Sequence, residues 1–431
     1  MRSINIGIIG AGTVGSGVWE LFSLNKDLIE NKSGMVIKIM RIADKDNKKK
    51  KTLGIPDRVF TNSAEDVISD PDVDIVVELI GGTTDARECI IKAASNGKHI
   101  VTANKALLAK HGIEILTSVM KNEVELGFEA SVGGGIPIIK TINEALIGNR
   151  ITRLIGILNG TSNFILTKMT REKLGFTQAL KIAQEMGFAE ADPTLDISGG
   201  DARHKITILS SLAFNTMIDH DKVYMEGIDK IDIKDIQYAE EFGFVTKLLA
   251  VAELLDAGIL VRVHPTLVSR DNPLAAVMWE DNAVMVHSDF LGKSMYYGKG
   301  AGAKPTASAV VADILDIAQR VINRAEYNKN RYTFFKDLPQ IGFSANRTRY
   351  YFRFNVLDRP GILSRISGVL GDNNISIASV IQKETEEQYE HVPLVMLTHE
   401  AVEADVQNAI SKINTFDEVE GKGIIIRVME E

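Results

Sequence analysis

The sequence predicts an α/β protein with a doubly wound parallel sheet first, an α+β region in the middle and a βαββαβ unit last. Across the first 130 residues, apolar runs of strand length alternate with helical patterns, as in a parallel sheet covered by helices. From residue 349 the patterns run strand, helix, strand, strand, helix, strand, which is the order of a ferredoxin-like unit. We therefore predict three domains and one linker, at 1–130, 131–325, 349–431 and, for the linker, 326–348.

The composition is that of a globular protein with several domains. The chain has 431 residues, of which 45% are apolar and 25% are charged. Its net charge of -8 argues against a nucleic-acid partner, because such proteins usually carry a basic surface. No apolar run reaches the length of a membrane span, and the chain starts with a strand pattern rather than a signal peptide. We expect a cytoplasmic protein with no membrane partner, in which the single cysteine, Cys89, is a small core residue.

A glycine-rich turn follows the first predicted strand. Residues 4–9 form a short apolar run, and GAGTVG follows at once, ahead of a helical pattern. Gly10 permits the tight turn, Gly12 lets the backbone approach a pyrophosphate, and Gly15 lets the helix pack closely on the strand. The helix N-terminus, at Thr13 and Val14, then faces the phosphate charge. This context predicts a Rossmann-type site for a dinucleotide, NAD or NADP.

The second predicted strand carries two conflicting signals about the cofactor. It ends near Asp44, and an acidic residue there normally accepts a hydrogen bond from the ribose 2′-hydroxyl of NAD. Basic residues nearby are suited to the 2′-phosphate of NADP, namely Arg41, Lys45 and the run 48–51. The choice between NAD and NADP therefore stays open. The basic run itself is expected to be a solvated loop.

Two further strands end in polar residues at the same edge of the predicted sheet. Glu78 and the glycines at 81–82 follow one strand, and Thr102, Asn104 and Lys105 follow the next. Ligands of such folds bind beyond the carboxyl ends of the strands. Lys105 is therefore expected to face the cofactor crevice, although a surface lysine at the start of a helix has the same pattern.

An acidic stretch at 188–205, FAEADPTLDISGGDARHK, combines four carboxylates with one lysine. Asp201 and Lys205 are four residues apart at the start of a predicted helix, which places them on one face. Such a face is suited to holding an ammonium group while a lysine transfers a proton. The alternative is a solvated acidic loop followed by an ordinary ion pair. The other carboxylates are Glu190, Asp192 and Asp196, and we assign no role to the two aspartates.

Two other segments allow both a structural and a functional interpretation. The polar cluster at 159–163 follows a predicted strand and is either a helix cap or a hydroxyl-rich ligand loop. The glycine-rich segment at 298–306 precedes a predicted helix. It is either a flexible connection or a loop that contacts an anion or a planar ring.

Taken together, the motifs resemble those of the homoserine dehydrogenase family. The matching segments are GAGTVG, VTANKALLA, EASVGGGIPII, GILNGTSNFIL, GFAEADPTLDISGGDARHK and GAGAKPTASAV. They occur in the family's order and cover roughly residues 1 to 325. The resemblance implies interconversion of L-homoserine and L-aspartate 4-semialdehyde with NAD or NADP.

The resemblance also implies roles for individual residues. Lys205 would donate a proton to the carbonyl oxygen during reduction, and Lys105 would position the substrate and the nicotinamide. Glu190 would bind the substrate ammonium, and Asp201 would support the same pocket. Cofactor contacts are expected from Gly10, Gly12, Thr13, Val14, Gly15, Asp44, Thr102, Lys105 and Gly302. A sodium ion is expected at Glu129, bound through its side chain or backbone, and at the backbone carbonyls of Val132, Gly134 and Ile136. Oxygen ligands suit such a hard cation.

The segment DRPGILSRISGVLGDNNISI closely resembles the ACT regulatory domain. In that family the turn often forms an amino-acid effector site between paired domains, and here threonine is the expected effector. Asp358, Pro360, Gly361 and Ile362 would lie near it, with 373–374 following the helix. An assembly domain without a ligand is the alternative. A homodimer or homotetramer is expected.

Two other functions remain compatible with the sequence. One is a related amino-acid or semialdehyde dehydrogenase on the same scaffold. The other is a non-catalytic ligand-sensing protein, against which the two lysines argue, since a sensor needs no proton donor.

Overall fold

The computed structural model of the chain describes residues 2–328, 334, 336–383 and 391–429. The predicted linker at 326–348 lies partly outside the described residues, as does the end of the second strand in the predicted βαββαβ unit. Within the described ranges, no helix is long and apolar enough to cross a membrane.

Strands and helices alternate along most of the chain. The strands are β1 (Arg2–Ile9), β2 (Met35–Ala43), β3 (Phe60–Thr61), β4 (Ile75–Glu78), β5 (His99–Thr102), β6 (Leu126–Gly127), β7 (Ile151–Ile157), β8 (Tyr224–Met225), β9 (Phe244–Leu255), β10 (Gly258–Ser269), β11 (Asp281–Ser288), β12 (Gly292–Lys299), β13 (Arg347–Leu357), β14 (Ile377–Gln382), β15 (His391–Thr398), β16 (Ala401–Val402) and β17 (Val419–Met429). The α-helices are α1 (Thr13–Leu24), α2 (Lys26–Ser33), α3 (Asn47–Thr52), α4 (Ala64–Ile68), α5 (Asp85–Ser95), α6 (Lys105–Lys121), α7 (Ile138–Lys140), α8 (Gly160–Glu172), α9 (Phe176–Glu185), α10 (Thr194–Ile197), α11 (Gly200–Phe214), α12 (Ile233–Glu241), α13 (Ala303–Ile322), α14 (Ile362–Asp372) and α15 (Glu403–Ile413).

The chain forms two compact units, each assembled from three separate segments. The first unit contains Met1–Leu154, His204–His220 and Asp281–Leu338. The second contains Ile155–Arg203, Asp221–Glu280 and Pro339–Glu431.

A parallel sheet organises the first unit. Its strands are hydrogen bonded in the order β3-β2-β1-β4-β5-β6. The order reverses beside β1, and such a reversal opens a crevice at the carboxyl ends of the strands. Helices α1 and α13 cover one part of the sheet, and their apolar residues share one buried cluster with β1 and β4. The predicted doubly wound sheet is therefore confirmed.

One local prediction is wrong. The basic run forms helix α3 instead of a loop, because the Asp46 carboxylate accepts a hydrogen bond from the Lys48 amide (2.9 Å) and lysine favours helix. Strand β6 is only two residues long. A Cβ at Gly127 would lie 2.7 Å from that of Asp313, so α13 approaches this strand closely. Helix α7, which follows Pro137, is also short, and a π-helical turn follows it at Thr141–Ala145.

A mixed sheet organises the second unit. Its order there is β9-β10-β17-β13-β15-β14. The last four strands, with α14 and α15, form the predicted βαββαβ unit around one apolar cluster. Strand β17 also pairs in parallel with β10, in the register Thr266 to Arg427. The C-terminal unit therefore continues the sheet of β9 and β10.

A buried ion pair joins the C-terminal unit to α12 within the second unit. The Arg353 guanidinium donates two hydrogen bonds to the Asp235 carboxylate, at 2.6 and 2.9 Å. The Tyr351 hydroxyl donates to the same carboxylate (2.9 Å), which is fully buried. Such a paired carboxylate has no water to replace a lost partner.

Replacement of Asp235 by alanine is expected to lower the free energy of unfolding by about 3–5 kcal/mol, because Arg353 would keep a buried, unpaired charge. Urea unfolding of the full chain, followed by circular dichroism, measures this loss. Lys412→Ala is the control, because its ion pair with Asp372 is more than half exposed on both sides and contributes at most about 1 kcal/mol. Equal losses in the two variants would contradict the assignment.

Candidate functional site

A cavity of about 750 Å³ opens at the carboxyl ends of β1, β2 and β4. Its lining includes Gly10, Gly12, Asp44, Lys45 and Gly81. Its volume is within the usual range of ligand pockets, roughly 300–1,000 Å³. The crevice predicted from the glycine-rich turn is thus present in the first unit.

The three glycines of the turn have the geometry that a dinucleotide loop requires. Gly10 has a φ of 106°, and a Cβ at Gly15 would lie 2.0 Å from the Gly10 carbonyl oxygen, so α1 packs tightly on the turn. Within the described part of the chain, no atom lies within 4 Å of a Cβ built on Gly12. Gly12 is also the N-cap of α1 and leaves the first helical amides, from Thr13 and Val14 onward, open to a phosphate.

Asp44 is already engaged by the backbone around the turn. One of its carboxylate oxygens accepts a hydrogen bond from the Ala11 amide (2.7 Å), and the other accepts from the Asp46 amide (2.8 Å). The carboxylate therefore ties the end of β2 to the glycine loop. Each oxygen retains a lone pair for a ribose hydroxyl.

The basic residues near Asp44 separate into two groups. Lys45 lines the cavity, is exposed and lies 3.5 Å from the Asp85 carboxylate. Arg41 instead donates to Asp70 (3.2 Å), and Lys50 lies 2.6 Å from Asp57. Neither Arg41 nor residues 48–51 are among the described lining residues of this cavity. Of the predicted 2′-phosphate ligands, the structure places Lys45 at the cavity.

Glu78 is a buried hydrogen-bond acceptor at the end of β4. One carboxylate oxygen accepts from the Ile80 and Gly81 amides (2.9 and 3.2 Å). The other accepts from the Thr102 hydroxyl of β5 (2.6 Å). Burial raises the pKa of Glu78, and these hydrogen bonds oppose the rise. The carboxylate thus links the ends of two neighbouring strands.

Thr102 and Asn104 extend this network to the start of α6. The Thr102 hydroxyl accepts from the Asn104 amide (3.0 Å), and the Asn104 side chain donates to the Gly82 carbonyl (2.6 Å). The same side chain accepts from the Leu107 amide and caps α6. Lys105 is the first residue of that helix and is half-buried. Its position is therefore determined by hydrogen bonds at the carboxyl edge of the sheet.

Glu129 is buried and caps a helix. Its two carboxylate oxygens accept from the Ile139 and Lys140 amides (2.8 and 2.7 Å), and its own amide donates to Asp313 (2.8 Å). Burial raises the pKa of Glu129 to about 7, and the neighbouring Asp313 carboxylate adds to the rise. The side chain is thus used within the protein, while its backbone carbonyl is a separate potential ligand.

The turn after Glu129 offers backbone oxygens to a cation. Val132 and Gly134 are buried, and among the described residues no backbone amide donates to their carbonyls. The Ile136 carbonyl accepts from the Ile138 amide (2.8 Å). In the same described ranges, no group of three or more His, Cys, Asp or Glu side chains is arranged to hold a metal. Buried carbonyl oxygens fit sodium better than a transition metal.

Gly302 lies close to the helix that starts at the glycine loop. It is the exposed N-cap of α13, with a φ of 109°. A Cβ on Gly17 of α1 would lie 2.6 Å from the carbonyl oxygen of Ala303, the next residue. The predicted glycine segment and the dinucleotide loop therefore belong to the same part of the first unit.

Asn159 brings two of the acidic residues together in the second unit. The nitrogen of its side-chain amide donates to Asp196 (2.7 Å) and to Asp201 (2.9 Å). The oxygen of the same side chain accepts from the Ser162 backbone amide (2.7 Å) and caps α8. The polar cluster is thus a helix cap whose asparagine also orders the acids. The Asn-Gly-Thr-Ser pattern predicts the cap, but nothing local in the sequence indicates the two carboxylates.

The remaining residues of the acidic stretch have different environments. Glu190 is exposed, and Asp192 accepts two hydrogen bonds from Thr194 at the start of α10, which lower the pKa of Asp192. Asp201 and Lys205 lie one turn apart on α11 and are only 3% and 6% exposed. The predicted helix and the shared face are confirmed.

One buried lysine was not predicted from the sequence. Lys247 of β9 is 1% exposed and donates to the Asn163 side chain (3.1 Å) and to the Val277 carbonyl. Burial lowers the pKa of Lys247 to about 7. Both partners are neutral oxygens, so its contacts are those of a structural clamp on the segment before β11.

Three sequence families match consecutive parts of the chain. Residues 10–129 match "Homoserine dehydrogenase, NAD binding domain", residues 137–315 match "Homoserine dehydrogenase" and residues 350–418 match "ACT domain". A relative from Pseudomonas aeruginosa, named homoserine dehydrogenase, is 42% identical and covers 99% of both chains.

Solved structures give the same result. A homoserine dehydrogenase from Thiobacillus denitrificans is 44% identical and superposes with a TM-score of 0.94, covering 100% of this chain and 99% of that one. A hyperthermophilic archaeal homoserine dehydrogenase in complex with NADPH is 28% identical, with a TM-score of 0.63. That match covers 76% of this chain and 100% of the archaeal chain.

Glu129 is expected to make stability depend on pH. Because its folded pKa is raised to about 7, the folded protein binds this proton more tightly than the unfolded chain. The contribution of this group to the free energy of unfolding is therefore fully present below about pH 4.5 and is lost as the pH rises through 7. Glu129→Gln removes this titration, so wild type should lose about 1–3 kcal/mol more than the variant between pH 5 and pH 8.

Urea unfolding at stepped pH values measures this difference. Glu185→Gln is the control, because that carboxylate is exposed and its variant should follow the wild-type profile. Parallel profiles for wild type and Glu129→Gln would show that Glu129 does not titrate near neutral pH.

Proposed function

We propose a function from one premise: this chain belongs to the homoserine dehydrogenase family. It is an oxidoreductase with a nicotinamide-dinucleotide cofactor, and its reaction interconverts L-homoserine and L-aspartate 4-semialdehyde. The match to a homoserine dehydrogenase over 99% of both chains carries this conclusion. The cavity at the glycine-rich turn supports a cofactor site at this edge of the sheet.

The proposed cofactor site uses the carboxyl edge of the parallel sheet. The first amides of α1 receive the pyrophosphate at Gly10, Gly12 and Gly15, and Asp44 or Lys45 contacts the adenosine ribose. Thr102 orders the loop that carries Lys105. Gly302, at the N-terminus of α13, completes the proposed contacts. This arrangement is supported by the open space at Gly12 and by the position of Lys45 at the cavity.

Lys205 is the proposed proton donor. The bound nicotinamide supplies or accepts the hydride, so the protein must position the substrate and move one proton. During reduction, negative charge develops on the carbonyl oxygen, and the Lys205 ammonium stabilises that charge and donates the proton. In the oxidative direction, the neutral Lys205 amine removes the proton from the substrate hydroxyl. Lys105 is proposed to position the substrate and the nicotinamide.

Glu190 and Asp201 are proposed to bind the substrate ammonium. The Asp201 carboxylate is buried, and Asn159 holds one of its oxygens. A charge-assisted hydrogen bond to a buried carboxylate selects substrates that carry an amino group. Glu190 is exposed, so its carboxylate is accessible to a ligand.

A sodium ion is proposed at the turn after Glu129. The carbonyl oxygens of Glu129, Val132, Gly134 and Ile136 would hold it, and the buried carbonyls of Val132 and Gly134 support this assignment. The ion would stabilise the turn before α7.

The proposal extends to organisation and regulation. We propose domains at 1–130, 131–325 and 349–431 with a linker at 326–348, a division supported by the three family matches. An amino-acid effector, with threonine as the first candidate, is proposed for the ACT turn near 358–362. Light scattering distinguishes the proposed homodimer from a homotetramer. A threonine titration of the activity tests the effector.

The direct test is a spectrophotometric assay with L-homoserine and either NAD or NADP. Formation of reduced cofactor with one of them is expected. The absence of turnover with both, in a folded preparation, would contradict the proposed reaction.

Lys205→Ala is expected to lower kcat by about 10²–10⁴-fold, because the proton donor is lost. The dissociation constant of the cofactor should change by less than about threefold, since the dinucleotide contacts remain. Steady-state kinetics measure kcat, and a fluorescence titration measures the dissociation constant of the cofactor. Lys98→Ala is the control, since that lysine is also buried in the first unit and donates to the Asp70 and Val73 carbonyls. A lost cofactor affinity with normal turnover at saturation would refute the role of Lys205.

Lys45→Ala is expected to raise the KM for NADP by about fivefold and to leave the KM for NAD within about twofold, because an exposed ion pair with the 2′-phosphate is lost. Steady-state kinetics with both cofactors measure this. Lys50→Ala is the control, since Lys50 pairs with Asp57 away from the cavity. Equal changes for both cofactors would argue against contact with the 2′-phosphate.

A further inference from the structure

A second ion pair, whose arginine is buried and whose glutamate is 29% exposed, connects the C-terminal unit to β8 within the second unit. Arg427 of β17 is 2% exposed, and its guanidinium donates to the Glu226 carboxylate just after β8. It also donates twice to the buried Glu403, at 3.2 and 2.6 Å. The Tyr224 hydroxyl donates to Glu226 (2.9 Å). Arg427 therefore holds one carboxylate from the C-terminal βαββαβ unit and one from the segment that follows β8.

The segment after β8 lies directly against α10. The Glu226 amide donates to the Val263 carbonyl (2.8 Å), which fixes this segment on β10. Two residues later, the Ile228 amide donates to the Ile197 carbonyl (2.8 Å). A Cβ at Gly227 would lie 2.4 Å from that same carbonyl oxygen, so a side chain does not fit between them. A displacement of residues 226–228 would therefore displace the end of α10.

The end of α10 leads to the acids that Asn159 holds. Asp196 precedes Ile197, and Gly199, with a φ of 86°, turns the chain into α11 and Asp201. A Cβ at Gly199 would lie 3.1 Å from a Val263 methyl. The chain from 196 to 201 is thus held by the Asn159 amide on one side and by β8 and β10 on the other.

We propose that Glu226 and Arg427 are positioning residues for homoserine, which hold residues 196–201 in the geometry that binds the substrate ammonium. The proposal rests on the role of Asp201 under the proposed function. Neither residue contacts the substrate. The last strand of the C-terminal unit thereby contributes to substrate affinity even without an effector.

The chemistry of the pair suits this role. The desolvation of the Arg427 guanidinium offsets much of its attraction to Glu226, so the pair contributes little net stability, but its directional hydrogen bonds favour one geometry. The planar guanidinium of Arg427 holds two carboxylates at defined angles. Small displacements of a substrate-binding group have large kinetic effects, since the reacting atoms must remain aligned.

The test measures the KM for homoserine and the KM for the cofactor in Glu226 variants of the full chain. Glu226→Ala should raise the KM for homoserine about tenfold and leave the KM for the cofactor within about twofold. Glu226→Gln keeps an acceptor for the guanidinium and should recover most of the affinity. Arg427 keeps Glu403 in both variants, so folding is preserved. Tyr224→Phe removes the hydroxyl alone and should raise the KM for homoserine about threefold.

Asp235→Ala is the matched control. It breaks the buried ion pair between Arg353 of the C-terminal unit and Asp235 of α12, and it should destabilise the protein more than Glu226→Ala does. Its helix, α12, packs on α8, and the Lys173–Glu240 ion pair places that contact at the opposite end of α8 from Asn159. The KM of Asp235→Ala for homoserine should therefore stay within about twofold of wild type.

The outcomes separate the two proposals. An unchanged KM for homoserine in Glu226→Ala, or an equal rise in Glu226→Ala and Asp235→Ala, overturns the positioning role. Asp201→Asn in the same assay decides the role of Asp201 independently. If Asp201→Asn raises the KM for homoserine and Glu226→Ala does not, the positioning role alone fails. If Glu226→Ala raises it and Asp201→Asn does not, the assignment of Asp201 fails, and the positioning role that rests on it is overturned as well.

Discussion

A carboxylate that leaves water loses its hydration, and the protein must replace that hydration with hydrogen-bond donors or a paired cation. This constraint recurs at each candidate site. Glu78 accepts from two amides and a hydroxyl, and Glu129 accepts from two amides at a helix start. Asp201 accepts from Asn159 and Asp235 from Arg353. Because each acceptor takes at least one donor from a different segment of the chain, satisfying the buried charge also fixes the distance between the two segments.

The functional side chains inherit their positions from these acceptors. Lys105 begins a helix whose cap, Asn104, is bonded to Thr102, and Thr102 is bonded in turn to Glu78. Removing Glu78 would therefore keep the Lys105 side chain but take away one of the hydrogen bonds that support the start of its helix. A proton donor or an ammonium ligand acts only within a narrow range of distance, so this indirect support matters as much as the functional group itself. The same reasoning links Asn159 to Asp201.

Local patterns were sufficient for part of this structure. The strand, turn and helix around Gly10, and the helix that carries Asp201 and Lys205, depend on neighbouring residues, so the sequence predicts them correctly. The links through Asn159 to Asp196 and through Glu129 to Asp313 join distant positions, and no periodicity or spacing encodes them. The prediction of a loop for the basic run is wrong for a related reason. Charge indicates solvation but not conformation, and the cap from Asp46 makes the segment helical.

The pairing of β17 with β10 changes what the C-terminal unit can do. A domain on a flexible tether binds an effector without straining the rest of its chain. Here the last strand shares a hydrogen-bonded ladder with β10, and Arg427 lies in that ladder opposite Thr266. Strand β10 also carries Val263, which contacts the segment before Asp201. A ligand that prefers one arrangement of β17 would therefore have to prefer one arrangement of residues 196–201, and its differential affinity would set the limit of any effect on the substrate.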